Sequence, residues 1–315
     1  MGVNGYDIIG DIHGYADKLH NLLEKLGYKK VDGVFGHPTR KVIFLGDFID
    51  RGPQQKQVLD TAMAMVNNQQ ASAVMGNHEL NALAYHTVDP NTPKDEPERH
   101  LRRHTDKNTK QHQAFIDAYG IDTKNPELRR VLDFFYSLPL WLELDGLRII
   151  HACWHSESIK HLTGLLGTNN TLSPELLADG SRAGTPEYDA IEILLKGPET
   201  SIPDDGHFTD KDGTRRIRVR LAWWMAPPTS WSDATLPPNI ITGSLADKAV
   251  PSELGMGYSL ESPPVLFGHY WFSGQPTPLA PNTACLDYSV ANGGKLCAYR
   301  WSGESTLSKR NFLYV

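Results

Sequence analysis

Residues 41–53 read KVIFLGDFIDRGP: an apolar run that ends in two aspartates, an arginine, two glycines and a proline. Gly, Asp and Pro are ordinary turn formers, so the stretch predicts a strand, a tight turn, and a helix whose first turn holds Pro53. The same unit recurs on both sides of it. YDIIG at 6–10 reads as a short strand, and ADKLHNLLEKLGY at 16–28 sets Leu19, Leu22, Leu23 and Leu26 on one helical face. After Pro53 a helix carrying Val58, Met63 and Val66 leads to SAVMG at 72–76, a third strand, and helical spacing follows from His78 to Tyr85. A β-α-β-α-β order predicts a sheet that is parallel over this part, with ligands gathered beyond the carboxyl ends of its strands.

Those ends carry one kind of chemistry. Asp11 and His13 follow YDIIG, Asp47 follows KVIFLG with Asp50 and Arg51 behind it, and Asn77, His78 and Glu79 follow SAVMG. His151 follows GLRII and His269 follows PVLFG. Parallel pairing of successive units would set Asp11, Asp47 and Asn77 side by side on one edge. Carboxylate, amide oxygen and imidazole nitrogen together suit Mn²⁺, Fe²⁺ or Zn²⁺ rather than Ca²⁺ or Mg²⁺. Six such ligands exceed what one ion with an open position takes, but suffice for two ions that share a bridging carboxylate, an arrangement that activates water for phosphoester hydrolysis. A glycine precedes each of Asp11, Asp47, Asn77 and His269, which predicts sharp turns beneath the ligands. Taken singly, each position has a plain explanation as a cap, a turn, a core histidine, or a surface ion pair worth ~0–1 kcal/mol. Independent plain explanations that happen to assemble a whole ligand set are less economical than one shared site.

The rest of the chain is less pointed. Its 315 residues are 40% hydrophobic and 22% charged, with a net charge of −6, which excludes a global basic field for nucleic acid or anionic lipid. No apolar run approaches the ~18 residues of a membrane span, and a first strand at Tyr6 leaves no room for a signal peptide, so the expected location is cytoplasmic. Cys153, Cys285 and Cys297 are too few and scattered for a disulfide framework or a Cys-based zinc site. Residues 86–111, with DPNTPKDEPERHLRRHTDK at 89–107, read as a solvated insertion whose 99–103 segment is a charged helix or else a lid for polyphosphate. Helical spacing runs from about Gln113 to Leu138, and WLELDGLRIIHACW at 141–154 predicts a hairpin turning at Asp145-Gly146. Residues 155–262 form a second insertion, turn-rich at GPETSIPDDG (197–206) and MAPPTSWSDATLPPN (225–239). Between them RRIRVRLAWW (215–224) alternates so that Arg216, Arg218 and Arg220 share one strand face. PVLFGHY, ACLDYSV and KLCAYRW predict further strands. His20, His37, His86, His100, His104, His112 and His155 read as surface or packing residues, Glu79 as a helix-start carboxylate, and Trp223, Trp224 and Trp231 as core. Trp154 and Trp271 lie close enough to ligand positions to line a pocket.

The set GDIHG (10–14), GDFIDRG (46–52), GNHE (76–79), HA (151–152) and GH (268–269) resembles the PPP-type serine/threonine phosphatases of the calcineurin-like metallophosphoesterase superfamily, in order and approximate spacing. CLDYSVANGGKLCAYRW (285–301) resembles the tail of the bacterial branch that includes symmetrical diadenosine tetraphosphatases, with Tyr288 and Ser289 in place of Thr and Gly. The resemblance implies an α/β (α+β) fold: a four-layer sandwich of mixed β-sheets flanked by helices, one catalytic domain over 1–315 with insertions about 86–111 and 155–262. It implies two divalent ions, Mn²⁺ first with Fe or Zn as alternatives, with Asp11, His13 and Asp47 at one, Asp47 bridging, and Asn77, His151 and His269 at the other. His78 matches the family's general acid, Asp50 the carboxylate that orients it, and Arg51 with Asn77 the phosphate-binding residues. Arg220 is the candidate for a second phosphate-binding arginine. HACW departs from the family's usual Gly-Gly or Ala-Gly after the histidine, which would let Cys153 and Trp154 narrow the pocket.

The implied activity is hydrolysis of phosphate monoesters by metal-activated water, of the serine/threonine phosphatase kind. Symmetrical dinucleoside tetraphosphate hydrolysis is the alternative, and a non-catalytic phosphate-binding module is the alternative of another class, disfavoured because His78, Asp50 and Arg51 are all retained. The expected partners are a phosphorylated protein or peptide, a small phosphoester or a nucleotide, with no membrane and no bulk nucleic acid.

Overall fold

The structure, a computed structural model, describes residues 4–203, 206–209, 215–225, 229–237, 240–251, 254 and 257–315. The amino-terminal part comprises β1 (Tyr6–Ile9), α1 (Ala16–Lys25), β2 (Lys29–Val31), β3 (Val34–Gly36), β4 (Lys41–Phe44), α2 (Gln55–Asn67), β5 (Ala71–Ala73) and α3 (Asn77–His86). Next come α4 (Asp106–Tyr119), α5 (Pro126–Tyr136), β6 (Trp141–Leu144), β7 (Leu147–Ile150), α6 (Ser156–Thr163), α7 (Pro174–Gly180) and α8 (Pro186–Lys196). Short elements follow: β8 (Glu199–Ser201), β9 (Phe208–Thr209), β10 (Arg215–Arg216), β11 (Arg218–Leu221), α9 (Trp231–Ala234) and β12 (Thr235–Leu236). The chain closes with β13 (Val265–Phe267), β14 (Thr283–Cys285), β15 (Asp287–Tyr288), β16 (Lys295–Trp301) and β17 (Phe312–Tyr314).

Two mixed sheets carry the site. One runs β15-β16-β1-β4-β5 with β17 on β16, and β1, β4 and β5 are parallel, as the sequence predicts. The other runs β14-β13-β7-β6, parallel except at the β6–β7 hairpin. Successive side chains on a strand point to opposite faces. Ile8, Ile43, Ile149 and Leu266 accordingly fill a core between the two sheets with Tyr299 and Trp301, while Ile9, Val42, Phe44, Ile150, Val265 and Phe267 pack outward into the helical layers. The result is four layers, helix, sheet, sheet and helix. The strands read as unbroken apolar runs because neither of their faces meets water.

Several expectations change in detail. The helical spacing at 113–138 resolves into α4 and α5, because Gly120 ends one with φ 77° and Asn125-Pro126 caps and starts the other. Pro53 lies just ahead of α2 rather than inside it. Residues 99–103 are not helical; His100 bridges back to Val88, and Arg102 donates to Asn81 Oδ1 at 2.7 Å and to Gln111 Oε1 at 2.9 Å. RRIRVRLAWW is not one strand, since an exposed Ile217 bends the chain between β10 and β11. The turn-rich reading of 155–262 misses α6, α7 and α8, although Ser173-Pro174-Glu175 and Thr185-Pro186-Glu187 are capping starts. Parts of the turn-rich stretches, at 204–205, 226–228 and 238–239, lie outside the described residues. Among the described residues no helix is long and apolar enough to cross a membrane.

Candidate metal centre

The predicted ligands meet at the carboxyl ends of the parallel strands. The Ile12 and His13 backbone N–H groups both donate to Asp47 O, at 3.0 and 2.8 Å, which ties the β1 turn to the β4 turn. Gly268 N–H donates to His151 O at 2.8 Å and does the same for β7 and β13. His13 and His151 are each aimed by the opposite ring nitrogen, the usual second contact of a metal-binding imidazole. His13 Nδ1 donates to Ile49 O at 2.9 Å, which turns Nε2 inward to 3.6 Å from Asp47 Oδ2. His151 Nδ1 donates to Leu45 O at 2.7 Å, leaving Nε2 3.1 Å from Asn77 Oδ1 and 3.5 Å from Asp47 Oδ1. His269 donates its backbone N–H to Asp11 Oδ2 at 3.0 Å and holds Nδ1 2.7 Å from Asn77 Oδ1.

The donor atoms of His13, Asp47 and His78 lie within 4.8 Å of one another, as do those of Asp47, His151 and His269, so Asp47 stands between two clusters. Asp11 Oδ1, His13 Nε2 and His269 Nε2 are buried without a hydrogen-bond partner. Orphaned buried donors and acceptors are costly, and those of Asp11 and His13, both residues that interact with Asp47, make the pattern a cation would satisfy. The electrostatics agree. Burial, reinforced by Asp287 and Asp47, pushes the Asp11 carboxyl well above its ordinary range. Burial raises Glu79 to about 8 and Asp287 to about 6, and lowers His13 to about 4. Burial also lowers His151, and His269 further, which keeps a lone pair free on each imidazole. Asp47 is lowered against the pull of burial, because His151, His78 and His13 crowd around it. A pocket that drives carboxyls to hold protons and imidazoles to shed them is short of positive charge, and the residues present fit divalent ions.

Beside the ligands, His78 Nδ1 lies 2.5 Å from Asp50 Oδ2. Burial would lower His78, but Asp47 and the bond to Asp50 outweigh it and raise the imidazole to about 9. Arg51 is exposed, with its guanidinium 5.1 Å from the ring centroid of Trp271. Left-handed backbone is concentrated here, with His13, Asp47, Asp50, Arg51, His269 and Trp271 all at φ between 48° and 73°. Such conformations cost of order 1–3 kcal/mol each and persist where the surroundings enforce them. Of the glycines ahead of the ligands, Gly46 alone has a positive φ. Gly268 is required by proximity instead, since a Cβ there would sit 2.0 Å from Asp11 Oδ1.

Other predicted residues fall differently. Arg216, Arg218 and Arg220 line a groove of about 1220 Å³ together with Arg51, Arg215 and Trp271, and among the described residues Glu199 is the acidic one in its lining. Arg220 lies 3.4 Å from Glu199 Oε1. Trp154 does not line this groove; it is buried with its ring 4.7 Å from the Arg148 guanidinium, and Cys153 is buried too. Sequence reasoning passes over His112 and Asp287. His112 Nδ1 lies 2.8 Å from Asp50 Oδ1, and Asp287 accepts the N–H groups of Trp271 at 2.7 Å and Ser289 at 2.9 Å. His112 sits beside a charge-dense stretch that looks solvated, and nothing local marks it.

A four-layer mixed sandwich with an Asp, Asn and His ligand row at its strand ends defines a metallohydrolase of the phosphoesterase class. The sequence model of the calcineurin-like phosphoesterase family matches residues 6–211, and the chain belongs to that family. Over 74 residues, 23% of this chain and 30% of the relative, it is 50% identical to an asymmetrical bis(5'-nucleosyl)-tetraphosphatase PrpE from Anoxybacillus flavithermus. Over 159 residues, 50% of this chain and 58% of the relative, it is 30% identical to the protein of the same name from Oceanobacillus iheyensis. The chain thus spans between 30% and 58% of the length of these two curated relatives. Among solved structures, a cold-active protein-tyrosine phosphatase of a psychrophilic Shewanella species aligns at TM-score 0.51 and 17% identity, over 97% of this chain and 80% of that one. A protein serine/threonine phosphatase from Saccharomyces cerevisiae aligns at TM-score 0.50 and 14% identity, over 98% of this chain and 78% of that one. These two are likenesses of fold.

Proposed function

We propose that this phosphoesterase acts on substrates with several phosphates in a row, of the nucleoside or dinucleoside polyphosphate class, ahead of the simple monoesters that the motifs alone put first. The observation that carries the reading is the groove in which Arg51, Arg215, Arg216, Arg218 and Arg220 run on from Trp271 at the edge of the ligand row. Guanidinium forks match phosphate oxygens bidentately, and a single phosphate needs few of them. The name carried by the bacterial relatives points the same way. Mn²⁺ is the ion proposed for the mixed oxygen and nitrogen set, with Asp11, His13, Asp47, Asn77, His151 and His269 as its holders. The described cysteines are all free and buried, which suits a reducing, cytoplasmic setting. The whole chain is read as one catalytic domain.

Bound divalent ions would supply Lewis-acid activation of water and of the phosphoryl oxygens. The chain does the rest. Arg51 grips the non-bridging oxygens of the phosphate being attacked, and Asn77 faces the same space. His78 gives the proton from Nε2 to the leaving oxygen as its bond to phosphorus breaks, and hydrolytic water provides the oxygen that replaces it and the proton that restores His78. Asp50 holds the opposite nitrogen of that ring.

The test is a panel of Mn²⁺-supported assays on diadenosine tetraphosphate, ATP, an aryl phosphate and a phosphopeptide. The expected result is a kcat/KM at least about tenfold higher on the polyphosphates, a difference of about 1.4 kcal/mol in transition-state stabilisation. A preference for the phosphopeptide would transfer the function to the protein phosphatase reading, and no turnover of any substrate would revive the binding module.

A further inference from the structure

Asp50 does not serve His78 alone. Its Oδ2 lies 2.5 Å from His78 Nδ1, and its Oδ1 lies 2.8 Å from His112 Nδ1. His112 comes from α4, is buried, and stacks on Phe115 with ring centroids 4.7 Å apart. Its Nε2 is 3.4 Å from Nε2 of His86 on α3, and His86 in turn hydrogen-bonds the Ile121 backbone. Arg102 clamps the same two helices by bonding Asn81 on α3 and Gln111 on α4. With one oxygen on each imidazole, the Asp50 carboxylate cannot rotate about its terminal bond without losing a buried partner; with one partner only, it could.

We propose that His112 is a positioning residue for leaving-group protonation. It locks the plane of the Asp50 carboxylate, and through it the ring of His78, so that His78 Nε2 stays aimed at the leaving oxygen. The role gives the segment between α3 and α4 a purpose, since that segment folds α4 back to place His112 beside Asp50. The inference rests on the reading of His78 as the acid, and its test separates the two.

Protonation matters most when the leaving oxygen is basic, so the readout is the ratio of kcat on phenyl phosphate to kcat on 4-nitrophenyl phosphate, measured with the Mn²⁺-loaded full chain. A reduced folded fraction cancels from that ratio because both rates come from one preparation. The parent is expected to hydrolyse both esters. His78→Ala is expected to lower the ratio by about 100-fold, within the usual range of general acid catalysis. His112→Ala is expected to lower it by about tenfold, and His112→Asn, which keeps an N–H near the position of Nδ1, to recover most of the loss. Added to His78→Ala, His112→Ala should change the ratio no further, as expected of two residues acting in series. Equal losses on both esters, or a His112 effect that persists without His78, overturns the inference while leaving the phosphoesterase reading intact. A parent inactive on both esters overturns the inference, and one inactive on diadenosine tetraphosphate as well overturns the phosphoesterase reading with it.

Discussion

Glu79 Oε2 accepts the Asp47 backbone N–H at 2.7 Å, across 32 residues of sequence. The same carboxylate takes the N–H groups of Gly76 at 3.0 Å and Phe48 at 2.9 Å, so one side chain at the start of α3 shapes the turns that present both Asp47 and Asn77. Glu79 therefore works on the site without touching it. Glu79→Ala leaves those buried N–H groups bare and should cost about 3 kcal/mol or more of stability. Glu79→Gln, which keeps an acceptor oxygen, should cost less than half as much. Urea unfolding of the metal-free variants checks the order, and equal stability of the two would show that the turns hold themselves.

The close approach of Gly268 to Asp11 makes a second expectation. A Cβ at 268 would collide with Asp11 Oδ1, an orphaned atom aimed into the ligand row, rather than with the far end of a flexible side chain. Gly268→Ala should reduce metal affinity by about 10- to 100-fold, the range seen when a ligand's support is altered, with stability lowered by about 1–3 kcal/mol. Isothermal titration with Mn²⁺ reads the first quantity. Affinity equal to the parent's would remove Asp11 from the ligand set.

The meeting of Asp11, Asp47 and Asn77 at one sheet edge is the most legible part of this protein, and the reason is geometric. Parallel strands joined by helices repeat one register, so Asp11, Asp47 and Asn77 align whatever the details of the crossovers, and buried strands announce themselves as apolar runs. His112 is hidden for the opposite reason: it reaches Asp50 only because α4 folds back onto α3, a contact across 62 residues that no local pattern encodes. The arginine strand lies between these cases. Alternation correctly buries Val219 and Leu221 and turns the arginines to the groove, but it fails at Ile217, which is 60% exposed at the bend. Helices α7 and α8 were within reach, since Ser173 and Thr185 each cap a helix that opens with proline, but a high count of turn formers drowns two such local signals.

Arg220 sits where the groove meets the site, half-buried and 3.4 Å from Glu199, whereas Arg216 and Arg218 are exposed further along. A surface ion pair of this kind contributes little to stability, so Arg220→Ala should leave the fold within about 0.5 kcal/mol. Its effect should fall on substrate. We expect KM for a polyphosphate substrate to rise about tenfold with kcat nearly unchanged, and KM for an aryl phosphate to move much less. Equal increases for both would place Arg220 at the attacked phosphate itself rather than along the chain.

The pH dependence of stability has a source away from the ligands. Burial chiefly, with His112, His104 and His100 adding like charge, lowers His86 to about 4. An imidazole in the unfolded chain titrates near ~6.5. A group whose folded value is depressed contributes its full stability above the unfolded value and loses it as pH falls towards the folded one, so the relevant window runs from about 6.5 down to about 4. A gap of this size is worth up to about 3 kcal/mol at the acid end. The metal-free protein also carries His13, lowered to about 4, so the parent's acid sensitivity is shared and only a difference isolates His86. His86→Phe keeps the ring volume between Tyr85 and Phe115 but gives up the contact with His112 Nε2. It should be about 1 kcal/mol less stable than the parent near neutrality. Its unfolding free energy should then fall more slowly on acidification, so that the two curves cross near about pH 5.8 and the variant is the more stable by about 1.5 kcal/mol at about pH 4.5. Parallel curves across that range would mean that His86 takes up its proton in the folded protein as readily as in the unfolded chain.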